Sequence, residues 1–175
     1  RDFCLSRGLG DVYKRQGGHT ALMTGIIGGT QELDTALYGE YPCTVRAIVD
    51  YYGPTDVSKM CERPSTQNHV DPDSPEGRLI GGLNVLENPD KVAPTVVMNH
   101  VPEASQRKLP PLLMFHGTKD RLVPFEQSLL LYDKMKQAGQ DVTLYRVEGA
   151  DHGGPAFWAQ NVLDLVDEFL KEHLK

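Results

Sequence analysis

The sequence has no long apolar run, no basic cluster and only three cysteines. No stretch approaches the roughly 20 apolar residues that cross a bilayer, so no membrane partner is expected. Residues 1–16 lack the apolar segment of a secretory signal, and the chain reads as cytoplasmic. Lysine and arginine number 18 against 24 acidic residues, a net charge of −6. Nucleic-acid surfaces need the opposite balance, so none is expected. Cys4, Cys43 and Cys61 show neither metal-ligand spacing nor a disulfide framework. A reducing compartment is the simpler reading, with a Cys43–Cys61 pair left open. No metal-binding cluster and no phosphate-cradling glycine loop stands out, so no cofactor and no metal is expected.

What is present suits one soluble domain. The 175 residues can bury a core, and 39% hydrophobic with 24% charged residues is ordinary for a globular fold. Apolar runs over 45–53, 111–116 and 142–147 read as strands. The middle run is continuously apolar, as in a strand covered on both faces. Helical patterns lie over 17–27, with Leu22, Met23, Ile26 and Ile27 on one stripe, and over 126–139, with Leu129, Tyr132 and Met135. Gly28-Gly29 and Gly139 stand where these helices stop. A closing helix is expected over 155–175. Its stripe is Trp158, Val162, Leu165, Val166, Phe169 and Leu170, all read as core. Strands alternating with helices give an α/β fold of about three parallel strands flanked by helices.

Residues 61–110 are rich in Pro, Asn, Asp and Ser and read as an excursion or lid. Ser74-Pro75 and Asn88-Pro89 each place a capping residue before a proline, the opening of a short helix. Leu83, Val85, Leu86, Val96, Val97 and Met98 either line a substrate or, more simply, pack on the sheet. Asp56 is placed to cap a short helix beginning at Val57. Asp50 reads as a polar residue at a strand end.

Two turns carry the chemistry. Asp120 follows the second strand in Gly117-Thr118-Lys119-Asp120. His152 follows the third in Gly149-Ala150-Asp151-His152-Gly153-Gly154. In an open parallel sheet the carboxyl ends of the strands border the binding crevice. An Asp that orients a His, and a His that moves a proton, are two members of a nucleophilic triad. Asp151 is adjacent to His152, but Asp120 is the better-placed partner. The missing member is a serine.

Gly17-Gly18-His19, Tyr52-Gly53-Pro54-Thr55-Asp56, Ser74-Pro75-Glu76 and the two turns together resemble the small esterases of the α/β-hydrolase fold. The resemblance covers 17–175 and is to the C-terminal half of an enzyme of the hormone-sensitive-lipase-like and acetyl- or feruloyl-esterase-like sort. It implies a serine on a sharp strand-to-helix turn, two residues before the first glycine. That place falls on Arg15, and Ser6, Thr20 and Thr24 stand at the wrong offsets. It also implies a structural role for His116.

The run 6–16 resembles a translated sequencing-adapter junction of the kind found at the ends of metagenomic gene fragments. Residues 1–16 carry a net +2 against −8 for the remainder. They are therefore expected to be a non-native junction or disordered arm, with 17–175 the C-terminal portion of one domain.

The resemblance implies a serine hydrolase acting on a small-molecule carboxylic ester through an acyl-enzyme, and a chain inactive for want of its serine. A prolyl-oligopeptidase-like peptidase and a non-catalytic binding domain are the alternatives. The strand at 45–53 is expected to present an open edge and favour self-association.

Overall fold

The computed structural model describes residues 10–30 and 44–174. At its centre is β2 (Leu112–Gly117), in which every residue is buried. It pairs in parallel with β1 (Ile48–Tyr51) on one side and β3 (Val142–Val147) on the other, giving the order β1-β2-β3. Successive side chains of a strand point to opposite faces, and the two faces here carry separate cores. Ile48, Leu112, Met114 and Val142 meet Leu22 and Ile26 of α1 (Gly10–Ile27) and Leu131 and Met135 of α4 (Glu126–Gln137). Leu113 and Phe115 meet Phe157 and Val162, with Leu165, Val166 and Phe169 of α5 (Gln160–His173) packed against them.

The excursion folds as short pieces. α2 (Pro75–Leu79) is capped by Ser74, whose side chain accepts the Gly77 N–H. α3 (Pro89–Val92) begins after Asn88, which caps nothing and donates instead to the Asn84 carbonyl at 2.8 Å. Val85 and Val96 join Val57, Ile80 and Val92 in a third core cluster, and Val97 is buried against α1 and α4. Most of the apolar residues of the excursion are therefore core, while Leu86 is exposed. Asp56 caps the 3-10 turn Val57–Lys59 by accepting the Ser58 N–H at 3.1 Å.

Four expectations are corrected. α1 begins at Gly10, not at residue 17. Residues 10–16 hold no proline, and extending an existing helix costs far less than nucleating one. The first strand runs only from Ile48 to Tyr51. Val45 and Arg46 are exposed, and Tyr52 turns into the left-handed region at φ 47°. In α4 the buried side is Gln127, Ser128, Leu131 and Met135, while Leu129 is exposed. Polar anchoring sets this roll: the Gln127 side chain accepts the Thr55 and Asp56 N–H groups at 2.8 Å each.

The closing helix is broken. A 3-10 turn, Pro155–Trp158, precedes an extended Ala159, and α5 follows. The break removes Trp158 from the α5 stripe. Trp158 is 53% exposed and stacks on Tyr51, whereas Phe157 is wholly buried. Cys61 is a free, exposed thiol; Cys4, Cys43 and the polar run 31–43 lie outside the described residues.

Candidate active site

Gly117 closes β2 against the turn that follows β3. A Cβ there would lie 2.4 Å from the Ala150 carbonyl oxygen, so only glycine lets the two turns meet. They are then stitched together by backbone bonds. Lys119 N–H donates to the Ala150 carbonyl at 2.9 Å, and Gly149 N–H to Thr118 Oγ1 at 2.9 Å. Asp151 adds a third tie, accepting from Arg121 Nε at 2.6 Å and from the Arg121 N–H at 3.0 Å. The side chain of Asp151 is thus committed to Arg121 and to the His152 backbone N–H, which it accepts at 2.8 Å.

Asp120 is free to face the histidine. Its Oδ1 accepts the N–H groups of Leu122 and Val123, both at 2.8 Å. Its Oδ2 lies 2.8 Å from His152 Nδ1 and 3.3 Å from His116 Nε2. Burial alone would raise this carboxyl's pKa. The hydrogen bonds and positive ends of His116 and His152 overcome that and hold it far below the usual carboxylate range. His152 presents Nδ1 to Asp120, and its ring rests 4.4 Å from the Tyr52 ring. Its Nε2 is buried and has no hydrogen-bond partner among the described residues. An imidazole fixed at one nitrogen and bare at the other is shaped to take a proton from a third group.

His116 is fully buried behind this pair. Its Nε2 faces the Val123 carbonyl at 3.0 Å as well as Asp120, and its Nδ1 lies 2.6 Å from Ser128 Oγ. Two acceptors at Nε2 assign the proton there, with Ser128 donating to Nδ1. His116 therefore steadies the carboxylate, a contact that its place in an apolar strand did not reveal. Tyr52 was also missed as a neighbour of His152. It is the one non-glycine residue with positive φ among those described, and backbone strain of this kind clusters at functional sites.

On the other side of the crevice stands α1. Gly18 packs directly on the turn after β1: a Cβ on it would lie 2.8 Å from Gly53 Cα and 2.6 Å from Asp50 Oδ1. Arg15 is less than one helical turn before Gly18, on the same helix. Thr20 and Thr24 are exposed, Thr20 donating to the Gln16 carbonyl. Ser6 lies outside the described residues. Asp50 is fully buried and, among the described residues, accepts only from the Gly53 N–H, at 3.2 and 3.3 Å. Among the described residues no three metal-binding side chains converge, and no helix is long and apolar enough to cross a membrane.

The BD-FAE family model matches residues 14–135, well over half of the chain. The chain belongs to the BD-FAE family. BD-FAE proteins are esterase-like α/β-hydrolases, and the three parallel strands flanked by helices are part of that fold. No curated protein matches the sequence. Solved structures do. A truncated carbohydrate esterase from gut microbiota aligns with a TM-score of 0.75 at 29% identity, covering 91% of this chain and 57% of its own. A bifunctional GH43-CE protein of Bacteroides eggerthii aligns at 0.76 and 25% identity, over 91% of this chain and 21% of its own. The propionate-bound esterase 2 of Thermogutta terrifontis aligns at 0.63 and 28% identity, over 89% and 52%. This BD-FAE chain thus spans at most a little over half the length of the esterases it matches.

Proposed function

We propose that this chain carries the acid and the base of a serine carboxyl-ester hydrolase. In the intact reaction a serine attacks the ester carbonyl, forming one C–O bond as the serine proton passes to His152 Nε2. His152 then returns that proton to the leaving alcohol as the ester C–O bond to it breaks. Water, deprotonated by His152, attacks the acyl-enzyme to release the acid as the serine C–O bond breaks and serine takes the proton back. Asp120 holds His152 in the Nδ1–H tautomer and stabilises the imidazolium. The observation that carries this reading is the 2.8 Å contact between Asp120 Oδ2 and His152 Nδ1, with Nε2 left bare.

The nucleophile's place falls on Arg15, which has no hydroxyl, so the chain as it stands is expected not to turn over esters. A pocket beside Gln16 and His19, walled by Pro54, Val57, Pro75, Glu76 and Leu79, is the candidate site for the acyl group. The carbohydrate esterases among the relatives favour an acylated sugar as the natural substrate class. Self-association is part of the same reading, since the outer edge of β1 pairs with no strand among the described residues.

The test is hydrolysis of p-nitrophenyl acetate. The unaltered chain should show none above background. Arg15→Ser should gain turnover that Arg15→Ser/His152→Ala loses. Turnover by the unaltered chain that His152→Ala abolishes would refute inactivity, and no His152-dependent gain in Arg15→Ser would refute the assignment of position 15.

A further inference from the structure

The excursion meets the acid turn at the Arg121 and Leu122 carbonyls, through a cluster that the proposed reaction does not use. His69 and Glu76 are both at least 97% buried. His69 Nδ1 and Glu76 Oε2 approach to 3.0 Å without forming a hydrogen bond. His69 Nε2 lies 2.8 Å from Ser65 Oγ and 3.0 Å from the Leu122 carbonyl oxygen. Ser65 Oγ accepts the Gln67 N–H at 3.1 Å and donates to the same Leu122 carbonyl at 3.1 Å.

Serine, histidine and glutamate in this order suggest a second triad, but the protons are placed otherwise. A carbonyl oxygen cannot donate, so the close approach of the Leu122 carbonyl puts the proton on His69 Nε2. That Nε2–H is shared between Leu122 and Ser65. Ser65 then accepts twice and gives its own proton to the carbonyl. Its oxygen has no base to deprotonate it.

We propose instead that Ser65, Thr66 and His69 are positioning residues for Asp120. The connection runs through two peptide units. The unit joining Leu122 to Val123 donates its N–H to Asp120 Oδ1 at 2.8 Å, while its carbonyl is held by His69 and Ser65. The unit joining Arg121 to Leu122 also donates to Asp120 Oδ1 at 2.8 Å. Its carbonyl is held by the Thr66 N–H at 2.8 Å and Thr66 Oγ1 at 3.2 Å. Each unit is gripped at both ends. The excursion therefore sets the orientation of the two donors that fix the carboxylate, and it polarises them in the same sense. The imidazole-facing oxygen of Asp120 keeps its direction because the other oxygen is locked.

The inference rests on the reading of Asp120 as the acid of the site, but its test does not need turnover. The carboxyl ¹³C resonance of Asp120 is followed against pH in the full chain. His69→Ala leaves the Leu122 carbonyl without its buried donor, and the Asp120 midpoint is expected to rise by about one pH unit. His69→Gln restores an N–H near the Nε2 position and should recover at least half of that shift. A folded His69→Ala chain with an unchanged Asp120 midpoint overturns the proposal, as a merely structural residue would lower the melting temperature alone. Should His69→Ala not fold, Ser65→Ala deletes only a half-buried hydroxyl and carries the same readout, with an unchanged midpoint again overturning it. Labelling of Ser65 by a fluorophosphonate would show a nucleophile there and also overturn it. Failure of the ester-hydrolase reading with the Asp120 shift intact would leave the positioning role standing.

Discussion

Two carboxylates stand at the same rim of the sheet, both with side chains sealed from solvent, and the protein shifts their pKa values in opposite directions. Asp50, on β1, accepts two long contacts from the Gly53 N–H and no other hydrogen bond among the described residues. Desolvation dominates there, and its pKa is raised to about 6 even with His116 nearby. Asp120, after β2, is met by two backbone N–H groups and two imidazoles, and it is pulled far down despite its burial. Burial by itself makes a carboxyl keep its proton. Donors arranged before any substrate arrives keep it charged, and a charged Asp is what a His–Asp pair requires.

The same contrast runs through the two sides of the crevice. The turns after β2 and β3 are joined by hydrogen bonds between backbone groups and short side chains. The turn after β1 is held by contact: Gly18 on Gly53, and Tyr52 between His152 and Phe157 at ring distances of 4.4 and 4.9 Å. The β1 side should therefore fail by loss of packing, and the largest effect is expected at Phe157. Phe157→Ala empties a wholly buried ring site and should cost about 3–5 kcal/mol in chemical denaturation. Trp158→Ala, one residue on and half exposed, should cost about 0.5–1.5 kcal/mol through its stacking on Tyr51. Equal costs would contradict the break between the 3-10 turn and α5.

Next in size is Asp50→Asn. A carboxyl that binds its proton more tightly in the folded state favours folding fully below its unfolded pKa of about 3.8, and loses that contribution as pH rises through about 6. The asparagine variant lacks this dependence. Its stability relative to the parent should rise between pH 4 and pH 7, by up to about 3 kcal/mol. Asp120 has the opposite sign: its contribution is complete above about pH 4 and is lost as the solution is acidified further. A difference between Asp50→Asn and parent that is flat across this range would remove the contrast between the two acids.

Effects smaller than that at Phe157 sharpen the contact at α1. Gly18→Ala forces a Cβ to within 2.8 Å of Gly53 backbone and should cost about 1–3 kcal/mol. Gly17→Ala meets nothing within 4 Å and should stabilise the helix by about 0.5–1 kcal/mol. Thermal melts of the two variants shifting in the same direction would place α1 differently on β1.

Much of this was legible in the residues because it depends on local pattern. The run at 111–116 shows a strand buried on both faces, and the turns after it and after β3 show Asp120 and His152 at strand ends. Ser74 and Asp56 announce their caps. What was not legible depends on tertiary placement. Nothing in the local sequence says that residues 10–16 continue a helix, since that depends on what α1 nucleates against. The alternation at 155–175 fits a single helix until Pro155 and an extended Ala159 shift the register of Trp158. His116 looks like any polar residue at the end of an apolar run until its Nε2 is found facing Asp120. Ser65 and His69 lie in a polar excursion with no periodicity, and only the fold brings them to one carbonyl. Tyr52 carries no sign of its left-handed backbone, because glycine or asparagine is the usual occupant of such a turn.

The most direct test of the account is the ¹⁵N imidazole spectrum of His152 at pH 8. The account predicts a proton on Nδ1, a bare Nε2, and a low-field Nδ1 proton that Asp120→Ala removes and Asp151→Asn leaves in place. A proton on Nε2 instead, or a low-field signal that survives Asp120→Ala and vanishes with Asp151→Asn, would contradict it.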